Sequence, residues 1–456
     1  MDNIAKSIRT HYKNKTPFKV YRGATNATRP VTFEKDKIVD VSTLNHVIDI
    51  DTNRKVAVVE PNVPMDMLVR ATLRHGLIPP VVMEFPGITV GGGLQGGAGE
   101  SSSYKWGTFN RTINWYDVVL GDGTKMRASR TEHADLFWGS AGSYGSLGVT
   151  TLAEVQLIRA KRFVELTYIP VSGFTEAVKT LQQAVTREPQ YVDGVMFSKD
   201  SGVVIIGMLK DSSSAPRRTF TKATDQWFYL HAAKIAKAGN QHTEAVPLYD
   251  YLFRYDRGAF WMGKFGFDRL KTPFNRATRT LLNPLMHTRK MYDALQASGA
   301  AQECIIQDLA LPVTKASAFM KYIDRAYGIY PLWVCPLLPD KESPFLSSNI
   351  ATDLVINIGV WGKYKGQDIL AANKDLESTL TNLGGKKWLY AQVFYDEPTF
   401  WKLYGGKRSY DQLRKKYKAT TLPTTYDKIR YRGTQPISAK RGLVTALLGH
   451  NGIRKT

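Results

Sequence analysis

Residues Pro86 to Gly107 read PGITVGGGLQGGAGESSSYKWG, with seven glycines between Gly87 and Gly99 and little that is apolar after Val90. Glycine at this density lets a backbone come close to a ligand, because no Cβ intervenes and positive φ carries no penalty. Backbone N–H donors followed by the hydroxyls of Ser101, Ser102 and Ser103 suit an anionic, phosphate-bearing cofactor. A flexible linker is the bland alternative, and the length, the punctuation and the strand-like flanks of the segment speak against it. Gly91, Gly93 and Gly96 also spell G-x-G-x-x-G, the pattern of a Rossmann dinucleotide site. Such a site follows a buried strand and opens an apolar helix. Here VVMEFPG precedes the motif and GAGESSSYKWG follows it without a helical apolar stripe, so the segment reads as a loop and no Rossmann unit is expected.

Upstream, Asn3 to Tyr12 is a short helix and Phe18, Val20 and Tyr21 make a strand. The polar turn from Arg22 to Arg29 can offer a second set of backbone donors. Two or three strands span the segment KIVDVSTLNHVIDIDTNRKVAVVEPNV, and Pro64 to His75 has helical spacing with Gly76 as its stop. Downstream, INWYDVVL and KMRAS form a hairpin across Gly121 to Thr124. A second glycine cluster, Gly142 to Gly148, leads into a strand at Val149 to Ile158. Two glycine clusters around one hairpin point to a single extended ligand touched at several places.

After Arg159 strands and helices alternate, which marks a second α+β domain. Its strands include GVMFSKDSGVVIIGML, ECIIQDLALPV, YPLWVCPLLP, DLVINIGVWG and WLYAQVFYDEPTFW, with a helix at Ala371 to Leu383. The aromatic run Tyr249 to Phe267, interleaved with Arg254, Arg257 and Lys264, reads mainly as core and partly as a pocket wall. We divide the chain into residues 1–162, 163–404 and a basic segment, 405–456.

With 456 residues and 43% hydrophobic content the chain can bury substantial cores. Two cysteines, Cys304 and Cys335, allow no disulfide framework, and the eight scattered histidines give no metal-ligand spacing, so no metal is expected. No window resembles a signal peptide or a membrane span, which places the chain inside the cell, soluble or peripheral to a membrane. The net charge of +22 is concentrated at one end: from Gly405 to Thr456, 13 Lys/Arg face only Asp411 and Asp427, a balance of +11. Dispersed charge elsewhere argues against nucleic acid, while the basic end admits a solvated tail, peripheral contact with an acidic membrane or a phosphorylated ligand.

The ordered set TVGGG, GAGESSSYKWGTF, VVLGDG, DLFWGSAGSYGSLGVTT, YPLWVCP, IIQDLALPV, VINIGVWG, LYAQVFY and PTTYDKI resembles the delta-24 sterol reductase (Diminuto-type) branch of the FAD-binding flavoproteins, from residue 15 to about 430. The resemblance implies an α+β fold: a two-lobed FAD-binding domain of the PCMH type, shared with vanillyl-alcohol oxidase, and an α+β substrate cap. It implies FAD held by Arg22, Gly23, Ala24, Thr25, Asn26 and Ala27, and by Pro86, Thr89, Val90, Gly91, Gly92, Gly93, Gly96, Gly97 and Gly99. Glu100, Ser101, Ser102, Ser103, Lys105 and Gly107 would lie towards the flavin ring, and Gly142, Gly145, Gly148 and Val149 on the adenosine side. No His or Cys stands in Arg22 to Pro30 or Pro86 to Gly107, so FAD is expected without a covalent bond.

On this basis the expected reaction is NADPH-driven reduction of a carbon–carbon double bond in a lipophilic, sterol-like substrate. The candidate acids are Glu100, Lys105, Tyr390 and Tyr395, and Trp261, Trp333, Cys335 and Trp361 would line the substrate pocket. Asp308 is equally readable as a satisfied buried carboxylate. The alternatives are a flavin oxidase or dehydrogenase of an alcohol or specialised metabolite, and a non-catalytic basic protein binding membrane or nucleic acid. The family's usual N-terminal membrane helix has no counterpart in this sequence, and the tail after Arg430 is an addition to the pattern.

Overall fold

The computed structural model describes residues 2–23, 25–434 and 436–448, with the backbone of 454–455. Five antiparallel strands form the first sheet, in the order Val47–Asp51, Val56–Val59, Val149–Gln156, Ile113–Val119, Lys125–Ser129. Alternation turns Tyr116, Val118, Ala153 and Val155 into one core, where Met65, Leu68 and Val69 of the helix Met65–Leu73 meet them. A smaller lobe pairs Lys19–Tyr21 in parallel with Ile38–Asp40, and the helix Asp2–Lys13 closes it with Ile4 and Ile8 against Phe18 and Val39.

The second sheet has eight strands, in the order His242–Pro247, Phe163–Val171, Ser201–Lys210, Tyr191–Ser198, Leu332–Leu337, Val355–Lys363, Cys304–Pro312 and Lys386–Lys387. Every neighbouring pair is antiparallel, and the helices make the whole an α+β structure. The period of two sorts its side chains into two groups. Val192, Val334, Ile305, Leu309, Ile356 and Ile358 face the helices Phe174–Val185, Val313–Tyr327 and Ile369–Asn382. Tyr191, Val195, Trp333, Ile306 and Trp361 face the core they share with the first sheet. The same alternation carries Asp193, Asp308 and Asn357 to that second face. Gly359 opens room there: a Cβ on it would stand 3.0 Å from Asp308 Oδ1 and 3.2 Å from Trp333 Cβ.

Three expectations change. The glycine-rich segment is not all loop, because Val90–Gly96 is a short helix capped by Thr89, whose hydroxyl accepts from Gly92 N at 3.2 Å. Missing side chains permit it: a Cβ on Gly91 would lie 2.8 Å from Pro61 Cβ, and one on Gly93 2.5 Å from Met83 Cε. The segment Trp388–Tyr395 is not a strand, since ladder pairing ends at Lys387 and Asp396 caps a helix, Glu397–Leu403. Its aromatic side chains turn inward instead. The basic segment is not simply a tail, because Tyr410, Arg414 and Ile429 are buried, and Arg414 donates to the carbonyls of Ser146 at 2.9 Å and Leu422 at 2.6 Å.

Candidate active site

Two joined chambers of about 240 and 200 Å³ lie between the two sheets and share Arg22, Arg29, Gln95 and Tyr144. Together they fall in the ~300–1,000 Å³ range of small-molecule sites. The outer chamber is cationic. Lys19, Arg22, Arg29, Lys428, Arg430 and Arg432 line it with one acid, Asp427. Arg29 donates to the carbonyls of Leu389 and Tyr390, both at 2.9 Å, and Lys428 Nζ to the carbonyl of Tyr144 at 2.5 Å. Carbonyls satisfy these donors without neutralising them. Burial first, then repulsion from Arg22, Arg29, Arg414 and Lys19, holds the Lys428 ammonium well below its ordinary pKa of 10.5, and burial brings Arg29 down to about 10. Unmatched cations of this kind call for an anionic ligand.

Backbone donors contribute less than the sequence implies. Val90 N, Gly91 N and Gly92 N are already bonded, to Val63 O at 3.0 Å, Pro61 O at 2.7 Å and Thr89 Oγ1 at 3.2 Å. Close approach is what the glycines supply: Gly92, Gly96 and Gly99 line the inner chamber, and Gly91, Gly145 and Gly148 the outer one.

Aromatic walls dominate the inner chamber. Phe85, Phe260, Tyr292, Trp333, Trp361 and Trp388 line it, with Phe260 and Trp361 ring centroids 4.9 Å apart. Phe260 holds φ +60, as Tyr144 holds φ +53, a costly conformation for a large side chain. Polar groups enter this apolar space at two stations. At the first, Tyr390 OH donates to Asp308 Oδ2 at 2.9 Å and Asn357 Nδ2 to Oδ1 at 3.0 Å; burial still pushes the Asp308 carboxyl up to about 6. At the second are Glu84 and Glu100. Burial, helped by Asp193 and opposed by Arg254, pushes Glu84 up to about 7, and burial followed by the charge of Glu84 holds Glu100 well above the carboxylate range.

The structure brings together many of the residues singled out in the sequence and leaves others apart. Arg22, Thr25, Asn26, Ala27, Thr89, Glu100, Tyr390, Trp333 and Trp361 line the inner chamber, and Val149 the outer. Ala24 lies outside the described residues. Gly23 and Gly107 hold turns at φ +82 and +73, and Gly142 packs on the Phe345 backbone. Pro86 and Gly97 contribute carbonyls, to Arg289 at 3.1 Å and Trp388 Nε1 at 2.9 Å. Val90 and Gly93 are packed in the helix interior. Ser101 bonds Tyr251 OH at 3.2 Å, Ser103 accepts from Glu100 N at 2.9 Å, and Ser102 is buried beside them; none of the three lines either chamber.

Two proposed acids fall away. Lys105 is exposed, its Nζ 3.4 Å from Glu188 O, because the turn of helix Ser103–Trp106 points it outward. Tyr395 is buried against Thr381 Oγ1 at 3.2 Å and Glu377 O at 3.3 Å, away from both chambers. Cys335 is buried behind the wall with its Sγ 3.9 Å from Val192 O, and burial raises its thiol. Trp261 forms an outer layer, donating to Trp361 O at 2.6 Å.

Glu84 and Asp193 have no place in the sequence reading of the site, and Arg254 entered it only within the aromatic run read partly as a pocket wall. Each acid interrupts an apolar run, VVMEFP and YVDGVMF, and that interruption is the signal that could have found them. Away from the chambers, His231, His242 and Glu244 bring ligand atoms within 4.8 Å of one another, a grouping that sequence spacing did not reveal. Tyr168 OH at 2.7 Å and Arg218 Nε at 3.3 Å complete the partners of that carboxylate.

Residues 1–129 match the family described as FAD binding domain. Delta(24)-sterol reductase of Homo sapiens is 28% identical over 403 residues, covering 85% of this chain and 76% of the human protein. The Arabidopsis thaliana delta(24)-sterol reductase is 28% identical over 423 residues, 84% of this chain and 74% of its own length. Over 132 residues, 28% of this chain, it is 33% identical to cytokinin dehydrogenase 7 of Oryza sativa subsp. japonica, 25% of whose length is covered. FAD carries a pyrophosphate that fits the unmatched cations of the outer chamber, and the chain is an FAD-dependent oxidoreductase with a PCMH-type FAD-binding domain. Along most of its length it is similar to the delta(24)-sterol reductases.

Proposed function

We propose that the protein reduces a carbon–carbon double bond in a bulky lipophilic, sterol-like substrate, with NADPH as the electron source. The observation that carries the reading is the inner chamber, an aromatic enclosure reached by carboxyl groups that burial pushes above their ordinary range, Glu100 well above it. Arg22, Arg29 and Lys428 would hold the FAD pyrophosphate by charge, with Thr25, Asn26 and the glycines of Val90–Gly96 close to the dinucleotide. Bound FAD supplies hydride transfer. No histidine or cysteine lines either chamber among the described residues, which supports non-covalent binding.

An isolated alkene accepts hydride poorly, so a proton must reach its other carbon in the same step or before it. Glu100 and Tyr390 are the sequence candidates that line the chamber. The faces of Trp333 and Trp361 can stabilise positive charge developing on the substrate by cation–π attraction, and the cap formed by the second sheet excludes water. Purified protein incubated with NADPH and a delta-24 unsaturated sterol without air should yield the saturated sterol. Bleaching of its flavin by an alcohol, with peroxide released in air, would instead make it an oxidase.

A second observation bears on location. No helix among the described residues is long and apolar enough to cross a membrane. The helix Ala439–Leu448 exposes Leu443, Val444, Leu447 and Leu448 beside Lys440 and Arg441. That combination suits peripheral contact with an anionic bilayer inside the cell.

A further inference from the structure

Four ionisable side chains meet at one side of the inner chamber: Glu84, Glu100, Asp193 and Arg254, none more than 8% exposed. Arg254 Nη2 bridges Asp193 Oδ2 at 2.8 Å and Glu84 Oε1 at 2.9 Å. Asp193 Oδ2 also accepts from Tyr255 OH and from Trp333 Nε1, each at 3.1 Å. All three of its partners are donors, so Asp193 serves as the carboxylate of an ion pair with Arg254. Glu84 and Glu100 line the same part of the chamber wall, close enough for the charge of each to act on the other. Two neighbouring carboxyl groups can bond to each other only through a proton on one of them, because an ionised carboxyl has only acceptors.

Counting charge leads to the same place. One guanidinium faces three carboxyl groups, and the other titratable groups around them, Tyr191, Tyr251, Tyr255 and Cys335, are held neutral by burial. Once Arg254 is matched by Asp193, two further buried charges would be left unpaired if Glu84 and Glu100 were both ionised. Desolvation forbids that, and at least one proton is retained. Both carboxyl groups line the chamber beside Phe85, Phe260 and Trp333.

We propose that Glu84 and Glu100 share a single proton and deliver it to the substrate alkene, with Arg254 and Asp193 as positioning residues that fix the pair and the indole of Trp333. This rests on the reductase reading. In the step, a C–H bond forms at one alkene carbon as the carboxyl O–H breaks. Hydride drawn from the reduced nicotinamide by way of the flavin closes the other carbon with its electron pair. The carboxyl pair, left with one more negative charge, recovers a proton from solvent, so each turnover consumes one alkene, one reduced nicotinamide and one proton.

The test has two arms on the full-length flavoprotein. Infrared difference spectra across a pH titration should show a protonated-carboxyl C=O band at neutral pH that is lost in E100Q, titrates at lower pH in E84Q and persists in D308N. In single-turnover reoxidation by a delta-24 sterol, E100Q should be slower by about 10²–10⁴-fold. E84Q removes the like charge beside Glu100, so the alkaline limb of its pH profile should move down by about one unit or more. D193N frees Arg254 to act on Glu84 and should move the limb the same way, with D193E restoring it. If E100Q does not fold, E84Q and D193N carry both arms. A band that is unchanged in both E84Q and E100Q, or alkaline limbs unmoved in E84Q and D193N, overturns the shared proton. The expected band in a protein that no alkene reoxidises overturns the reductase reading while upholding the carboxyl pair.

Discussion

Lys387 shows what a buried charge does for this fold when its partner is in place. Its Nζ lies 2.9 Å from Glu377 Oε1 and 2.5 Å from Gln392 O, and Glu377 also receives Phe394 N at 3.0 Å, with both side chains buried. Removing one member strands the other, so K387A should lose about 3–5 kcal/mol of stability in urea unfolding, while K387M combined with E377L should recover most of it. Lys428 is the opposite case, a cation among cations. Its native pKa lies below the ordinary 10.5, so without flavin the folded chain binds fewer protons than the unfolded one. Stability should therefore rise with pH across the window between the depressed value and 10.5. The FAD phosphates reverse the sign by recharging the amine: binding should take up a proton, and affinity should fall as pH rises through that window. Calorimetric titration in buffers of different ionisation enthalpy measures the uptake, and K428A should abolish it. At this scale the sequence offered Glu100, Lys105, Tyr390 and Tyr395 alike, and could not tell that only Glu100 and Tyr390 line the inner chamber. Orientation decides that, and a turn of helix or the end of a ladder sets orientation.

The glycine clusters are elements whose use is partly packing. Gly142 holds φ +83, donates to Gln95 O at 2.9 Å, and a Cβ there falls onto the Phe345 backbone. G142A combines left-handed strain of about 1–3 kcal/mol with that clash. It should lower the urea midpoint of the flavin-loaded protein and weaken flavin retention together, since Tyr144 and Gly145 follow it into the chambers. An unchanged midpoint would show that the loop relaxes freely. Strands and hairpins were legible because period-two alternation and the Asp122-Gly123 turn are local signals. The helix Val90–Gly96 was not, since glycine has low helix propensity and only the tertiary closeness of Pro61 and Met83 makes glycine necessary there. Trp388–Tyr395 looked like a strand because aromatics favour sheets, whereas here Trp388 and Tyr390 line the inner chamber.

Across the whole molecule, charge and shape are divided between two purposes. Cations from the first lobe and from the C-terminal segment converge on the outer chamber, and one face of the second sheet walls the inner one. The α+β class was readable from element order; that the basic C-terminal segment reaches the cofactor cleft through Lys428 was not, because nothing local marks a contact about 280 residues distant, such as Lys428 with Tyr144. Beyond that cleft, the exposed leucines and basic residues of Ala439–Leu448 should give salt-sensitive retention on vesicles containing phosphatidylserine. Deletion of residues 431–456 should remove this retention, and unchanged retention would assign it elsewhere.

The central claim is reduction of an alkene by flavin electrons, and stopped-flow absorbance of the purified protein without air reads it directly. NADPH should bleach the flavin bands, and mixing the reduced protein with a delta-24 unsaturated sterol should restore them in one turnover with formation of the saturated sterol. A reduced flavin that no alkene reoxidises, in a protein whose oxidised flavin is bleached by an alcohol, would contradict the account.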